Sequence, residues 1–332
     1  MKHLPILVVL PEGEDSSPAD QTLGARLSTG PDIQILEQRF RRDRPDDLER
    51  QLSPWSDRIA GIVGALRVPE SELLGKLAER MNLLCFVANN NPAVWQGRRQ
   101  IFHIGFPTSQ TTAAIAAKLV QQTDRRRYLM LHDDTEFQTR VATAMQARLR
   151  DHGMDARSLA HNAGEPLTTG DGWTPELIYV VFSSESKALK VVRTLGESMP
   201  DVPLVLGRSL LRESFLQLLS GRTGEFWFVD TNFRRNHART ESQQQFMRVM
   251  EENSIKVPTT NHAFGWDCVK FCALALTASD GNPQRAIGYL ESGVTLEGAT
   301  GTCSFSPDNH NGRHGPGPTI LSRWNNGRFE DV

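Results

Sequence analysis

The sequence has few cysteines and no long apolar segment. Its four cysteines are scattered and include no Cys-x-x-Cys pair, which argues against a disulfide framework and against a zinc site. The longest apolar runs, such as residues 177–182, fall far short of the roughly 18 residues that a membrane-spanning helix needs. Basic and acidic residues nearly balance, 37 against 39. We therefore expect neither a membrane segment nor direct binding to nucleic acid.

Enzyme signatures are also missing. Gly61 and Gly64 follow a strand pattern but lack the third glycine of a dinucleotide-binding loop, and neither a phosphate-binding loop nor a nucleophile elbow occurs. His132, Asp133 and Asp134 end a predicted strand, where adjacent side chains point to opposite faces, so these three alone do not form a metal chelate. We expect a protein that is not an enzyme and holds no metal or cofactor.

Short apolar runs alternate with helical patterns along the chain, which is typical of an α/β fold. Residues 4–10, 59–63 and 83–87 are predicted as buried parallel strands, and a helix is predicted over 68–81. Residues 39–50 carry charges of alternating sign and are interpreted as solvated surface. A second series of strands and helices follows from residue 110 to residue 229. The sequence therefore predicts two doubly wound lobes with the chain crossing between them.

Strand-to-loop junctions are the candidate ligand positions, because ligands of open α/β sheets bind outside the carboxyl ends of the strands. Asn89 and Asn90 follow a predicted strand and either form a turn or present amide groups to a ligand. Arg67 and Arg208 follow other strands and either lie at the surface or hold a carboxylate through two hydrogen bonds. Ser183, which follows the strand over 177–182, is a further candidate.

Passages over nearly the whole chain resemble the type I periplasmic-binding-protein fold, and within it the branch of the amidase-operon amide sensor and the short-chain amide and urea binding proteins. Residues 61–64, 77–80 and 83–86 are similar to that branch's strand, helix and next strand. Residues 101–105 with 109–111 are similar to its crossover, and residues 296–301 leading to Phe305, Asn309 and His310 to its closing segment. The resemblance implies an N-terminal lobe of residues 1–105 plus 231–314 and a C-terminal lobe of 106–230 plus 315–332. It also implies three crossovers, near Gly105, Asp230 and Gly315.

The amide binders of that branch contact their ligand through hydroxyl side chains. The resemblance places the corresponding positions at Leu66, Val68, Phe86, Ala88 and Phe137. Nearly all the hydroxyls are therefore absent, and a ligand amide left unpaired would cost on the order of 1–3 kcal/mol per group. Acetamide and urea are for this reason not secure predictions as ligands.

The function implied by the resemblance is a non-enzymatic small-solute receptor that closes on its ligand. It would be an amide-sensor-like regulator that binds a short amide, urea or a related amino acid or carboxylate, and acts on a cytoplasmic antiterminator. The alternative is a periplasmic component of an ABC importer for amides, urea or branched-chain amino acids, with a permease as its partner. A homodimer is expected from the resemblance alone.

The N-terminal sequence bears on location. The apolar run over residues 6–10 is followed directly by Pro11 and Glu12, which predicts a first strand rather than a signal peptide. A cytoplasmic location is expected on this ground, whereas a leader removed from upstream of Met1 would favour the periplasm.

Overall fold

The computed structural model describes residues 4–11, 16–28, 33–41, 45–55, 58–64, 67–163, 165, 167–169, 172–219, 224–231, 233, 239–315, 319–325 and 328–330. The chain divides into two compact units. Unit 1 comprises Met1–Pro107 and Asn236–Gly317, and unit 2 comprises Thr108–Arg235 and Pro318–Val332. Each unit is built on a sheet of mostly parallel strands.

The elements are numbered in chain order. The strands are β1 (Leu4–Pro11), β2 (Ile33–Phe40), β3 (Gly61–Gly64), β4 (Leu84–Val87), β5 (Ile101–His103), β6 (Arg127–His132), β7 (Asp155–Ala160), β8 (Leu177–Val181), β9 (Leu204–Leu206), β10 (Phe226–Thr231), β11 (Thr295–Gly298), β12 (Gly301–Ser304), β13 (Thr319–Asn325) and β14 (Arg328–Glu330). The helices are α1 (Ser16–Leu27), α2 (Pro45–Leu52), α3 (Val68–Met81), α4 (Thr108–Gln122), α5 (Glu136–Asp151), α6 (Glu185–Ser198), α7 (Glu213–Leu219), α8 (Glu241–Glu252), α9 (Thr260–Ala278) and α10 (Pro283–Glu291).

The sheet of unit 1 is parallel throughout, in the order β2-β1-β3-β4-β5. Strands β1, β3, β4 and β5 are mostly apolar because both faces of this part of the sheet are covered. In β4, Leu84 and Phe86 join the cluster that includes α9, whereas Cys85 and Val87 join the cluster on the opposite face. The four cysteines of the chain all lie in unit 1 and are all buried.

Helix α9 packs closely against α1. A Cβ atom at Gly265 would lie 1.8 Å from the carbonyl oxygen of Gln21, so only glycine allows the two backbones to approach this far. The helix begins with a capping box, in which the Thr259 hydroxyl accepts the His262 N–H and His262 Nδ1 accepts the Thr259 N–H. Helix α9 is thereby fixed at its start and along its length.

The β11–β12 hairpin is fastened to α9 by a buried carboxylate. Asp267 accepts the N–H groups of Ala299 at 2.7 Å and Thr300 at 2.8 Å, and also the Thr300 hydroxyl. Burial raises the pKa of Asp267 above its ordinary value, although these hydrogen bonds and the nearby charge of Arg313 act in the opposite direction. The turn of the hairpin therefore depends on one side chain of a neighbouring helix.

Arg313 connects the same hairpin to the end of β5. Its guanidinium donates to the carbonyl oxygens of Ile104 at 3.0 Å and Thr302 at 2.9 Å, and to the Thr300 hydroxyl. The side chain is almost fully buried, so these bonds replace its hydration. Arg313 thus joins chain segments that are distant in sequence.

Unit 2 contains a seven-stranded sheet in the order β14-β13-β10-β9-β8-β6-β7. Strands β13 and β14 are antiparallel additions beside β10, and the other five strands are parallel. The parallel part repeats the strand order of unit 1, with the first strand of the unit between the second and the third. Its core contains Tyr128, whose hydroxyl remains paired because it donates to the Arg125 carbonyl oxygen at 3.0 Å.

The structure adds elements that the sequence pattern did not predict. The segment over 39–50, interpreted as solvated surface, contains the end of β2 and most of α2, and Leu48 of α2 is fully buried. Strand β2 is half-exposed over most of its length, which explains its mixed apolar and charged sequence. Strand β7 was missed because its buried residues are few. Among the described residues, no helix is both long and apolar enough to cross a membrane.

Replacing Asp267 with asparagine should lower the free energy of unfolding of unit 1. The amide of the substituted side chain would place a donor against one of the N–H groups that Asp267 now accepts, and Arg313 would lose a negative neighbour, at a cost of about 3 kcal/mol. Urea unfolding followed by circular dichroism measures the change. Asp280→Asn, at an exposed carboxylate, is the matched control and should lose little. Equal losses in the two variants would contradict the role of Asp267.

Candidate functional site

Ligands of open α/β sheets bind beyond the carboxyl ends of the strands, where the strand order reverses. This point lies between β1 and β3 in unit 1 and between β6 and β8 in unit 2. In unit 1, Leu66, a predicted ligand contact, lies outside the described residues. The candidate site of unit 1 is therefore built from Arg67 onward and from the loop that follows β4.

Asn89 organises the loop after β4. Its side chain is almost completely buried, its Nδ2 donates to Ser71 Oγ at 2.7 Å, and its Oδ1 accepts the Asn91 N–H at 2.7 Å. Ser71 Oγ in turn donates to the carbonyl oxygen of Arg67 at 3.0 Å. One amide side chain thus connects the loop after β4 to the start of α3, which follows β3.

Residues at and just after the end of β5 contact the backbone of the same loop. His103 Nε2 lies 3.0 Å from the carbonyl oxygen of Asn89. A Cβ atom at Gly105 would lie 1.8 Å from that same oxygen, so the loop can take this position only because residue 105 is glycine. The backbone of Asn89 is therefore held on the β5 side as firmly as its side chain is held on the α3 side.

Two predicted ligand residues lie in the hydrophobic core instead. Phe86 is fully buried and its ring stacks on Phe102, with the centroids 5.5 Å apart. Ala88 is 1% exposed and belongs to the same cluster. Both side chains point to the face of the sheet that α9 covers, because residues two apart along a strand share a face. As placed, neither side chain has surface to offer a ligand, which corrects the prediction for these two residues.

Three other predicted residues of unit 1 lie at its surface or its edge. Arg67 is exposed and caps the N-terminus of α3 with extended backbone. Val68 is half-buried at the first position of that helix, and Asn90 is exposed in the loop after β4. Arg67 and Asn90 therefore remain accessible on the two loops that Asn89 joins.

Unit 2 has a comparable junction, organised by a carboxylate. Asp133 follows β6 and is nearly buried, and its Oδ1 accepts the Thr135 hydroxyl at 2.7 Å. Its Oδ2 accepts the Ser183 N–H at 2.8 Å and the Ser183 hydroxyl. Because Ser183 follows β8, this carboxylate joins the two loops at the point where the strand order reverses.

The charge of Asp133 is stabilised in place. Burial by itself would raise the pKa of Asp133, but the hydrogen bonds from Ser183 and Thr135 together hold it below its ordinary value. Lys187 Nζ on α6 lies 3.5 Å from Oδ2 and adds an opposite charge at the surface. Asp133 therefore remains ionised, and Ser183 is exposed with its hydroxyl directed at a carboxylate.

Two other predicted residues of unit 2 make different contacts. Phe137 is half-buried against the core of unit 2, with the Arg140 guanidinium 5.6 Å from its ring centroid. Arg208 is half-buried after β9 and donates to Thr319 Oγ1 at 3.2 Å. Burial lowers the pKa of Arg208 to about 10, although the nearby Tyr179 and Asp230 act against this shift. Its guanidinium therefore interacts with polar groups of unit 2 itself.

Sequence reasoning missed the residues that hold these loops in place. Asp133 was considered as a metal ligand and as the first residue of a strand-to-loop junction, but not as the group that holds Ser183, and Ser71 and His103 were not named as site residues. A carboxylate followed two residues later by Thr135 is a recognisable turn signal, and it could have identified Asp133. The partnership of Asn89 with Ser71 and His103 joins residues 18 and 14 positions apart, and no local pattern reveals it.

No protein-family model matches the chain, and no curated protein matches it. Solved structures match over its whole length. A leucine-binding protein from Thermotoga maritima is 15% identical, with 99% of this chain and 98% of that chain covered and a TM-score of 0.74. A branched-chain amino acid transporter substrate-binding protein from Streptococcus pneumoniae, in complex with isoleucine, is 17% identical, with 99% and 98% covered and a TM-score of 0.76. A periplasmic binding protein type 1 from Bordetella pertussis is 14% identical, with both chains fully covered and a TM-score of 0.77.

These similarities confirm the predicted fold. The chain has the two-unit α/β fold of the type I periplasmic binding proteins. At identities of 14–17% the likeness concerns the fold alone. The amide-sensor branch is not among the three descriptions, two of which name leucine or branched-chain amino acids.

Replacing Asp133 with asparagine should destabilise unit 2 at neutral pH by about 1–3 kcal/mol, because one of its donors would face an amide N–H. The folded pKa of Asp133 is lowered, so its contribution is present above its unfolded pKa and is lost as the pH falls through the folded pKa. The difference from the unsubstituted protein should therefore shrink in acid. Urea unfolding at several pH values measures it. Asp134→Asn, at the exposed neighbour, should show neither effect.

Proposed function

We propose that this protein is a non-enzymatic receptor for a small solute, and that it serves as the substrate-binding component of an ABC importer for amino acids with apolar side chains. The observation that carries the proposal is the match of the complete fold to proteins described as binding leucine or transporting branched-chain amino acids. The match covers 98–99% of both compared chains. The partner in this proposal is the importer's permease, and the place of action is the periplasm.

The loops of unit 1 support this ligand class. Arg67 is an exposed residue at the N-terminus of α3. An amino acid carboxylate at this position would interact favourably with the positive charge of Arg67 and with the helix dipole. Val68, next to it, is apolar and half-buried, and the loop after β4 carries no hydroxyl between Ala88 and Asn91. A ligand with one carboxylate and an apolar side chain suits these groups better than an amide does.

The amide-sensor interpretation has weaker support. Its ligand would need several hydroxyl partners, and the exposed Ser183 already directs its hydroxyl at Asp133. While it donates to Asp133, this hydroxyl can accept an amide N–H but cannot also donate to the amide carbonyl oxygen. The two interpretations also differ in partner, since a sensor would act on a cytoplasmic antiterminator and an importer component on a permease.

L-Leucine and L-isoleucine should bind to the purified protein, and urea and acetamide should not. At 100 times its dissociation constant a ligand stabilises the folded state by about 2.7 kcal/mol, which a thermal-shift assay detects and isothermal titration calorimetry then quantifies. Binding confined to urea or acetamide would support the sensor interpretation instead. The absence of binding by all four compounds would contradict a receptor for either ligand class.

Arg67→Ala should weaken leucine binding by about tenfold or more, because a hydrogen-bonded charge pair with the carboxylate would be lost. The matched control is Arg248→Ala, which removes an exposed arginine from α8. Calorimetric titrations of both variants measure the effect. If the Arg67→Ala variant binds leucine with unchanged affinity, Arg67 is not part of the site.

A further inference from the structure

The buried histidine at the end of β5 faces two hydrogen-bond acceptors. Its Nε2 lies 3.0 Å from the carbonyl oxygen of Asn89, and its Nδ1 lies 3.1 Å from Asn311 Oδ1. Arg313 determines the amide orientation of Asn311, because Asn311 Nδ2 donates to the Arg313 carbonyl oxygen at 3.1 Å and Oδ1 accepts the Arg313 N–H at 3.4 Å. A flipped amide would lose both bonds. Both ring nitrogens of His103 therefore face oxygen atoms that cannot donate.

A neutral imidazole has one N–H, so it can bond to only one of these oxygens. The side chain of His103 is fully buried, and water does not reach the second nitrogen. A second proton on the ring would provide the missing donor. Burial opposes that proton most strongly and the charge of Arg313 adds to the opposition, so the pKa of His103 is below its ordinary value. At neutral pH the ring therefore holds one of its two contacts as a hydrogen bond.

The charged and titratable groups around His103 are on the elements that pack against it. On segment 310–313 these are Arg313 and His310, whose ring nitrogens contact the Ile101 carbonyl oxygen and Glu291. On α3, Arg67 and Glu70 flank Ser71, the far partner of Asn89. In the described part of the chain, no carboxylate bonds to either ring nitrogen of His103. A protonated ring would thus be stabilised by its two oxygen acceptors.

Asn89 connects this histidine to both ligand loops of unit 1. Its carbonyl oxygen faces the ring, whereas its side chain bonds to the Asn91 N–H and to Ser71, and Ser71 bonds to the Arg67 carbonyl oxygen. A change in the bond to His103 therefore acts on the backbone that presents Asn90 and Arg67.

We propose that His103 is a positioning residue for the ligand loops of unit 1, and that its second proton fixes the loop after β4 more firmly and so makes solute binding tighter in mild acid. The part of this inference that concerns affinity rests on the proposed function. By linkage, a solute that binds better to the protonated form must also raise the affinity of His103 for its proton.

The first test measures the dissociation constant of L-leucine by calorimetry from pH 8 down to a pH below the folded pKa of His103, as NMR titration of the ring determines it. The unsubstituted protein should bind about three- to tenfold more tightly at the acid end, the range expected for one additional buried hydrogen bond. His103→Gln keeps one donor and cannot titrate, so its affinity should not depend on pH. His310→Gln, at a buried histidine that does not contact Asn89, should keep the pH dependence. A constant affinity in the unsubstituted protein, or a dependence that survives in His103→Gln, would overturn the inference.

A second measurement needs neither variant nor ligand. In the unsubstituted protein, NMR titration of the His103 ring should give a pKa below the ordinary histidine value. The exchange rate of the Asn91 N–H, divided by the intrinsic rate for an unprotected amide at the same pH, should fall as that ring takes its second proton. If leucine and isoleucine fail to bind at every pH, the proposed function is wrong. The dependence of Asn91 N–H exchange on the His103 titration would then still test whether His103 positions the loop after β4. An Asn91 exchange rate that does not follow the His103 titration would reject the positioning role even where leucine binds.

Discussion

The guanidinium of Arg313 holds together the polar interior of unit 1. It reaches the carbonyl oxygens of Ile104 and Thr302, and through the Thr300 hydroxyl it meets the carboxylate of Asp267. The backbone of the same residue orients the Asn311 amide, which faces His103. These three hydrogen bonds offset the loss of hydration of a buried cation, and the Thr300 hydroxyl among their acceptors is itself fixed by Asp267. The hairpin, the end of β5 and the loop after β4 therefore share one network.

The two units use different chemistry to join neighbouring loops, those after β3 and β4 in unit 1 and those after β6 and β8 in unit 2. In unit 1 the neutral side chain of Asn89 offers both an NH₂ group that donates and an oxygen that accepts, so it can join Ser71 to the Asn91 N–H. In unit 2 the carboxylate of Asp133 offers only acceptors, and its partners are accordingly hydroxyl and N–H groups. The charge makes the second junction sensitive to its ionic surroundings, whereas the first depends on the geometry of its neighbours.

Much of the fold followed from the sequence because buried parallel strands leave a strong local signal. The strand over 83–87 is a continuous apolar run, and the buried residues of the helix over 68–81 recur at helical spacing. Strand β2 was not predicted because an edge strand covered on one side mixes charged and apolar residues. The site was harder to predict. Phe86 and Ala88 were assigned by correspondence with another branch, and the alternation of β4 and the following residue turns both into the core.

The loops are held by residues that only tertiary structure brings together. The contact between Asp133 and Ser183 spans 50 positions, and that between His103 and Asn311 spans 208. Each residue taken alone has an ordinary explanation in sequence terms, as a turn former or a strand end. Their burial and the chemical type of their hydrogen-bond partners distinguish these residues from ordinary turn formers and strand ends. Neither property can be read from a single sequence.

The location of the cysteines has a practical consequence. All four lie in unit 1 and are buried, and unit 2 contains none. Burial raises the pKa of the Cys303 thiol to about 11, and it also raises the pKa of each of the other three thiols. The thiolate is the nucleophile that attacks thiol reagents, so these reagents will modify this protein only where unit 1 opens. Reaction of the native cysteines would therefore report on the opening of unit 1. A single cysteine introduced on the surface of unit 2 would accept a spectroscopic label without competition from the native thiols.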